Sequence, residues 1–463
     1  MLARVKTFFR RHLSRRQINF LHKLEAMYWS ARFGFPARSM VVFGITGTKG
    51  KTTASHFLTS ILEEAGYTVG MATTVDFQIG DEIRTNQANK SVLHPKYLQS
   101  LLKEMKEARC NVVVLEVTSH AIDQNRIWGI PIRFAGFTNL GHDHLDYHGT
   151  MEIYRDTKKK LFMGRHLRAM AANADDVVGK QFLEQSPAPR KVGFSTEGIE
   201  DVPGTTDMVY ADKISANSTS ATFTLINEEE SERVQLQLPG RFNVENALLA
   251  ASLALNLNLK LSTIAAGLQR LERVAGRLES IETKKGFTIL IDYAHTPDSL
   301  EKLYSTLRPD VRGRMIGVLG CTGDRDKTKR PIMGALAARF CDLVYITDEE
   351  PYSEDPSAII EEVARGVPRG RSLFKPSRDQ LIKRQERPIF KKEEAADGEG
   401  VWWWKVPERR DAIERAIKQC RLDDVVLLTG MGAQEYKIVG TEKVPWSDRD
   451  VVMEILKAEK LVA

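Results

Sequence analysis

From Ser39 onward, short runs of continuous apolar residues alternate with longer stretches in which apolar positions recur every three or four residues. "MVVFGIT" (40–46), "NVVVLEVTS" (111–119) and "FAGFTNLG" (134–141) read as buried strands. "TASHFLTSILEEAG" (53–66) reads as a helix closed by Gly66. Strands that are apolar on both faces and alternate with helices predict a parallel sheet covered on both sides. Residues 205–238 break this texture. "ATFTLI" and "RVQLQL" alternate with period two, which predicts a small antiparallel excursion before the helix "NVENALLAASLALNL". After "LERVAGRLESI" a second series of strands begins: "FTILIDYA", "MIGVLG", "CDLVYIT" and "DVVLLTG". Residues 366–405 carry many charges, several prolines and "WWW", and read as a surface insertion.

Between the first strand and its helix lies "GITGTKGKTTASHFL" (44–58). A glycine-rich turn there can aim backbone N–H groups at phosphate oxygens, and the helix N-terminus adds partial positive charge. The strict GxxxxGK[ST] spacing is missed by one place, since Ile45 stands where the first glycine belongs. The strand before and the helix after still point to nucleotide phosphate, held by Gly47, Thr48, Lys49, Gly50, Lys51, Thr52 and Thr53. Lys51 would reach the terminal phosphates and the Thr52 hydroxyl would bind Mg²⁺. Such an ion needs more ligands. Glu116 ends the second strand on the same sheet edge, and His142, Asp143, His144, Asp146 and His148 crowd one loop. No cysteine joins them, which favours Mg²⁺ over zinc. The expected fold class is α/β: a P-loop-type, mostly parallel central domain, then a smaller Rossmann-like C-terminal domain. Expected boundaries are a basic amphipathic helical arm over 1–39, a central ATP-binding domain over 40–273 and a C-terminal domain over 274–463.

Charge sharpens the arm. Residues 1–40 hold nine Lys/Arg against Glu25, a balance of +8, so the remaining chain is −2 out of the net +6. The body therefore offers no broad basic face for nucleic acid. Phe9, Leu13, Phe20, Leu24 and Met27 fall near one helical face among the arginines. That stripe suits either a helix packed on the body or a basic helix resting on an anionic membrane surface. No apolar run approaches the roughly 20 residues that span a bilayer, and the N-terminus lacks a signal-peptide core. Four scattered cysteines, Cys110, Cys321, Cys341 and Cys420, fit a reducing compartment. A cytoplasmic monomer is expected.

Seven segments, "GTKGKTT", "EVTSHAIDQNR", "FTNLGHDHLDYHG", "GRFNVENALLA", "AGRLE", "IDYAHTPDSLEK" and "GCTGDRDKTKRP", together resemble the Mur ligases, most nearly the UDP-N-acetylmuramoyl-dipeptide (MurE) type. The resemblance implies an ATP-dependent, ADP-forming ligase that joins an amino acid to an acceptor carboxylate through an acyl phosphate, in peptidoglycan precursor synthesis. It implies ATP and Mg²⁺ as cofactors, and a muramoyl-peptide-like acceptor and an amino acid as partners. It also implies closure of the second domain over the first to exclude water. By resemblance Glu116 and His144 are metal ligands. Lys158, with Lys159 and Lys160 adjoining, is the lysine that becomes carbamylated. Lys51, Glu116, His144 and Lys158 form the catalytic set. Thr118, Gln124 and Arg126 contact the acceptor, and Asn243 and Asn246 hold adenine. Arg277, Asp292 and His295 reach ATP from the second domain. Arg325 grips the amino acid's carboxylate, and Glu349, Glu350, Gly430 and Gln434 line its pocket.

Three departures matter. The phosphate loop begins near residue 44, where the family has a full N-terminal domain for the uridine nucleotide, so that domain is expected to be lacking and the acceptor's UDP half to be absent or read differently. "NQANKSVLHP" (86–95) replaces tandem threonines near the acceptor pyrophosphate. There Lys90 or Ser91 touches a phosphate, or the region is an ordinary loop. "EEPY" (349–352) stands for the diaminopimelate-selecting Asp-Asn-Pro-Arg, and "GMGAQ" (430–434) for Gly-Lys-Gly-His-Glu. Two glutamates would favour a cationic side chain such as that of lysine or ornithine. Other readings are a folylpolyglutamate- or cyanophycin-type acceptor, or a non-catalytic ATP-binding scaffold.

Overall fold

A computed structural model describes residues 14–86, 93–141, 143–199, 201–217, 219–367 and 401–462. Phe9, Leu13, Lys90, Ser91, His142 and most of the expected insertion lie outside the described residues. The chain separates into two compact units. One runs through Ser215, with Ala221–Leu236 and Arg241–Glu272. The other runs from Arg273, with Ala216–Ser220 and Gln237–Gly240.

The first unit is built on one sheet. Its strands are β1 (Val41–Thr46), β2 (Val69–Ala72), β3 (Asp76–Ile79), β4 (Glu82–Thr85), β5 (Val112–Glu116) and β6 (Ile132–Phe137). They continue with β7 (Ala169–Asn173), β8 (Arg190–Ser195), β9 (Asp207–Ala216), β10 (Ala221–Asn227) and β11 (Glu230–Leu236). The order is β11-β10-β9-β8-β7-β6-β1-β5-β2-β3-β4. β2, β5, β1, β6, β7, β8 and β9 run parallel, and antiparallel ribbons finish both edges. The excursion expected over 205–238 is antiparallel in its β10–β11 ribbon and continues the main sheet. β9 pairs in parallel with β8, so the period-two strands extend the main sheet. β1 and β5 are buried on both faces because helices cover them. The helix Lys51–Glu64 packs on the helices Arg241–Ala254 and Leu261–Arg270. A side chain at Gly267 would lie 2.4 Å from the Ile61 Cα, so only glycine allows that approach.

The arm contributes the helix Arg15–Arg32, opened by a capping box between Ser14 and Gln17. Ala26 and Ser30 are buried, and Ser30 Oγ donates to the Trp128 carbonyl at 3.0 Å. The described part of the apolar stripe does not pack on the body and faces outward. Phe20 is 59% exposed, and Leu21, Leu24, Met27 and Tyr28 are exposed beside it. Small and polar residues make the docked face, because that face meets a backbone carbonyl and a hydrogen-bonded loop.

The second unit carries β12 (Glu279–Glu282), β13 (Thr288–Asp292), β14 (Met315–Leu319), β15 (Leu343–Ile346), β16 (Trp402–Lys405) and β17 (Val425–Thr429). Their order is β12-β13-β17-β14-β15-β16, parallel except for β12. β16 corrects the expected insertion at its end. "WWWK" pairs with β15, and the buried Trp404 ring stacks on Tyr345 at 5.0 Å. A four-residue edge strand is too short to show a period. One buried pair ties this unit together. Arg409 donates to Asp448 through Nε at 2.8 Å and Nη2 at 2.6 Å, and to the Thr429 carbonyl at 2.9 Å. Neither side chain of the pair is exposed.

Removing one partner leaves an uncompensated buried charge. Arg409→Ala should lower stability by about 3–5 kcal/mol in urea denaturation. A midpoint equal to that of the unaltered protein would show that the pair does not hold the unit.

Candidate active site

In a parallel sheet the loops at the carboxyl ends of the strands form the binding edge. β1, β5 and β6 deliver Gly47–Gly50, Glu116 and Thr138–Asn139 to that edge. The loop is pinned to its neighbours. Thr48 N donates to the Asn139 carbonyl at 2.8 Å, and Lys49 N to Asn139 Oδ1 at 3.1 Å. Thr138 Oγ1 donates to the Lys49 carbonyl at 2.6 Å. Gly50 has φ +84°, and a Cβ there would fall 2.1 Å from Asn246 Oδ1. Asn246 is buried and donates to Asn243 Oδ1 at 3.0 Å, so both asparagines lie on the helix packed against the loop's end.

Lys51 Nζ donates to the Thr48 carbonyl at 2.9 Å and lies 3.8 Å from Glu116 Oε1. Thr52 Oγ1 donates to Glu116 Oε2 at 2.8 Å, and Thr74 N reaches the same oxygen at 3.1 Å. Thr53 is buried in the first turn of the helix. Lys158 is 1% exposed, and its Nζ donates to the Gly47 carbonyl at 2.7 Å. Burial, and then the charge of Lys51, hold its pKa well below the ordinary lysine range. Of the three adjoining lysines, Lys159 is only half-buried and Lys160 exposed.

The described side chains of the crowded histidine loop do not form a metal cage. Asp143 pairs with Lys49 at 3.4 Å, and His148 Nε2 meets Ser119 Oγ at 2.9 Å. The His144 side chain is 46% exposed, with its ring 5.0 Å from that of His120. The His148 ring lies 5.6 Å from that of His120 as well. Among the described residues no group of three or more His, Cys, Asp or Glu is placed to hold a metal ion. A hydroxyl beside a carboxylate, Thr52 and Glu116, suits Mg²⁺, which keeps waters and phosphate oxygens as its other ligands.

Thr118 caps the helix Ser119–Asp123 by accepting from Ala121 N at 3.2 Å. Gln124 and Arg126 follow it and are hydrogen-bonded to each other at 2.8 Å. A cavity of about 410 Å³, counting space open to solvent, is lined by Glu116, Val117, Arg126, Ile127, Leu115 and Ala72. Glu116 and Arg126 thus share one space.

In the second unit Asp292 accepts from Leu278 N at 2.9 Å and Ala294 N at 2.8 Å, bracing the loops beside β13. Arg277 lies over the Tyr293 ring at 4.8 Å, and His295 Nδ1 meets the Tyr293 carbonyl at 2.8 Å. Glu349 is buried. Its Oε1 accepts from Thr322 Oγ1 at 2.6 Å, while Oε2 has no hydrogen-bond partner among the described residues and faces Gly430. Glu350 Oε2 accepts from Gln434 Nε2 at 3.3 Å, and Gln434 Oε1 is buried without a partner among the described residues. Burial pushes both carboxyl pKa values up. Arg325 is exposed, 5.7 Å from the centre of the Tyr352 ring.

Sequence reasoning missed several parts. Thr138 and Asn139 stood inside the quoted "FTNLG", whose position after a strand was the available signal. His56 was read only as helix. Its ring nitrogens meet the Thr52 carbonyl at 2.9 Å and Asp76 Oδ2 at 3.0 Å. Burial alone would lower the His56 pKa, but the charge and hydrogen bond of Asp76 outweigh it and raise it. No local pattern joins residues 56 and 76.

Two family matches cover most of this architecture: the Mur ligase middle domain over residues 45–254, and the Mur ligase glutamate ligase domain over 276–432. A UDP-N-acetylmuramyl-tripeptide synthetase of Roseiflexus sp. is 36% identical over 434 residues, 90% of this chain and 79% of that protein. A UDP-N-acetylmuramoyl-L-alanyl-D-glutamate--2,6-diaminopimelate ligase of Bacillus cereus is 35% identical, covering 92% of this chain and 79% of that one. A solved diaminopimelate ligase of the same description has a TM-score of 0.63 at 25% identity, over 95% of this chain and 82% of that one. The Mycobacterium tuberculosis folylpolyglutamate synthase, solved with ADP, shares the fold with a TM-score of 0.65 at 17% identity, over 93% of this chain and 95% of that one.

His148 makes the histidine loop acid-sensitive. Burial first, and then the charge of His120, push its pKa down to about 4. An unfolded histidine titrates near 6.5, so the stability from keeping His148 neutral is complete above about 6.5. It is lost as pH falls from there towards about 4. Thermal unfolding should show this acid loss, and His148→Gln should flatten it. An unchanged slope in the variant would remove His148 as the cause.

Proposed function

Because the chain belongs to the Mur ligase family, whose members are ATP-dependent acid–amino-acid ligases, we propose that it joins an amino acid to the carboxylate of a muramoyl-peptide acceptor. The observation that carries this reading is the wall behind the glycine loop. Thr52 hydrogen-bonds Glu116 at 2.8 Å, and a buried, charge-depressed Lys158 hydrogen-bonds the Gly47 carbonyl at 2.7 Å. A mere nucleotide binder has no need of a lysine held in that state.

The acceptor's carboxylate oxygen attacks the γ-phosphorus and ADP leaves. The amine nitrogen then attacks the acyl carbon, the bond to phosphate oxygen breaks, and the nitrogen gives up a proton. Phosphoryl transfer depends mainly on positioning and on charge neutralisation. In this reading Gly47–Thr53 cradle the phosphates, Lys51 faces their charge, and Asn243 and Asn246 meet the adenine. Mg²⁺ held by Thr52 and Glu116, with His144 and a carbamylated Lys158 at a second ion, would neutralise charge on the transferring phosphoryl group. A depressed pKa favours the neutral amine, the form that takes up CO₂. Thr118, Gln124 and Arg126 hold the acceptor. Arg277, Asp292 and His295 serve ATP from the second unit, and Arg325 takes the amino acid's carboxylate. The unpartnered Glu349 Oε2 and Gln434 Oε1 both want donors. A side-chain ammonium supplies three, which favours lysine or ornithine over diaminopimelate.

One further surface favours a peripheral membrane contact. The helix Arg15–Arg32 exposes Phe20, Leu24, Met27 and Tyr28 beside exposed Arg16 and Lys23. The +8 balance of residues 1–40 matches an anionic bilayer surface. No described helix is long and apolar enough to cross a membrane.

Phosphate release with UDP-N-acetylmuramoyl-L-alanyl-D-glutamate and a panel of amino acids should be highest with lysine or ornithine, and Lys158→Ala should lower it at least about tenfold. Short carboxylic acids should restore part of that loss. Highest activity with diaminopimelate would overturn the specificity, and an indifferent Lys158→Ala would overturn the mechanism. The full chain should co-sediment with phosphatidylglycerol vesicles and be released by salt of about 0.5 M. Unchanged binding of a Phe20→Ser/Leu24→Ser variant, or none by the native chain, would exclude the membrane contact.

A further inference from the structure

We propose that the helix Arg15–Arg32 is a positioning element of the acceptor site. Its first two turns set the side chains of Gln124 and Arg126 through Asp123 and Tyr147. The proposal rests on the reading that Gln124 and Arg126 contact the acceptor.

The connection is a continuous run of hydrogen bonds with one possible direction. Arg126 Nε donates to Gln124 Oε1 at 2.8 Å. Gln124 Nε2 donates to the Tyr147 hydroxyl at 3.0 Å, and that hydroxyl donates to Asp123 Oδ2 at 2.9 Å. The same carboxylate oxygen accepts from Arg15 Nη2 at 3.0 Å and from Asn19 Nδ2 at 3.0 Å. Arg15 also clamps Tyr147 directly. Its Nη1 donates to the Tyr147 carbonyl at 3.0 Å, and its guanidinium lies 4.5 Å over the ring. A guanidinium can only donate and a carboxylate only accept, so the order of donors is forced from both ends. Gln124 must turn its oxygen to Arg126 and its amide nitrogen to Tyr147. Burial would raise the Asp123 pKa, but the bonds from Asn19, Tyr147 and Arg15 outweigh it and hold the carboxyl below its ordinary range.

A simple tether would not need this arrangement. The later turns of the helix already dock it, through Ser30 on the Trp128 carbonyl at 3.0 Å and Glu25 on His94 at 2.9 Å. The first two turns bond instead to Asp123, Asn125 and Tyr147, beside Gln124 and Arg126. Arg15 and Asn19 are one helical turn apart, which puts both on the face that meets Asp123. Without them Tyr147 loses its clamp, and Gln124 can turn away from Arg126.

The test uses the full chain with two readouts. The first needs no acceptor. The Arg126 Nε–H resonance in side-chain ¹⁵N NMR should be sharp and slow to exchange, and should lose that protection in Arg15→Ala but keep it in Ser30→Ala. The second is kinetic, with UDP-N-acetylmuramoyl-L-alanyl-D-glutamate as acceptor. Arg15→Ala should raise its KM about tenfold while the KM for ATP stays within about twofold. Arg15→Ala and Tyr147→Phe should be markedly less than additive, because each breaks the same run. Arg126 protection unchanged in Arg15→Ala, or additive effects of the two substitutions, would overturn the proposal. A native chain inactive with this acceptor would sink the functional reading, while the Arg126 resonance would still decide the positioning role.

Discussion

The glycine loop is pinned from outside: Thr48 N and Lys49 N donate to Asn139, and side chains take its carbonyls. Gly47, Thr48 and Lys49 give their carbonyl oxygens to Lys158, Lys51 and Thr138. Gly50 gives its own to Ala54 N within the helix. The N–H groups of a helix's first turn have no partners inside the helix. The parallel sheet serves this constraint, because only parallel neighbours gather β1, β5 and β6 with their carboxyl ends together.

The same economy of donors and acceptors shapes the second unit, with the opposite outcome. Arg409 and Asp448 meet in a buried position, and the Thr429 carbonyl and Trp446 Nε1 add further bonds to them. Glu349 sits just as deep with one oxygen unmatched. A folded protein keeps few buried acceptors without donors. The two carboxylates differ because Asp448 has a fixed cation beside it, whereas Glu349 Oε2 has no hydrogen-bond partner among the described residues.

Much of this was legible along the chain. The four strands read after Arg277 all form, because strands apolar on both faces leave an unbroken signal. The glycine loop stood out despite its shifted spacing, since a strand and a helix flanked it. β2 and β7 were not read, being short and rich in small residues, and β8 was not read because it opens on two basic residues that mask its apolar end. The stripe on the arm was recognised and its direction was not. Periodicity locates a face, while the neighbour that covers it decides where the face points.

The sequence alone determined the fold class, the phosphate loop, and the identity of Thr52 and Glu116 as neighbours, because these depend on order along the chain and on strand polarity. Only the tertiary structure buried Lys158 against the Gly47 carbonyl, set His148 against Ser119, and tied Arg15 to Arg126. Those outcomes depend on burial and on hydrogen-bond direction between residues far apart in the chain. No local pattern encodes either quantity.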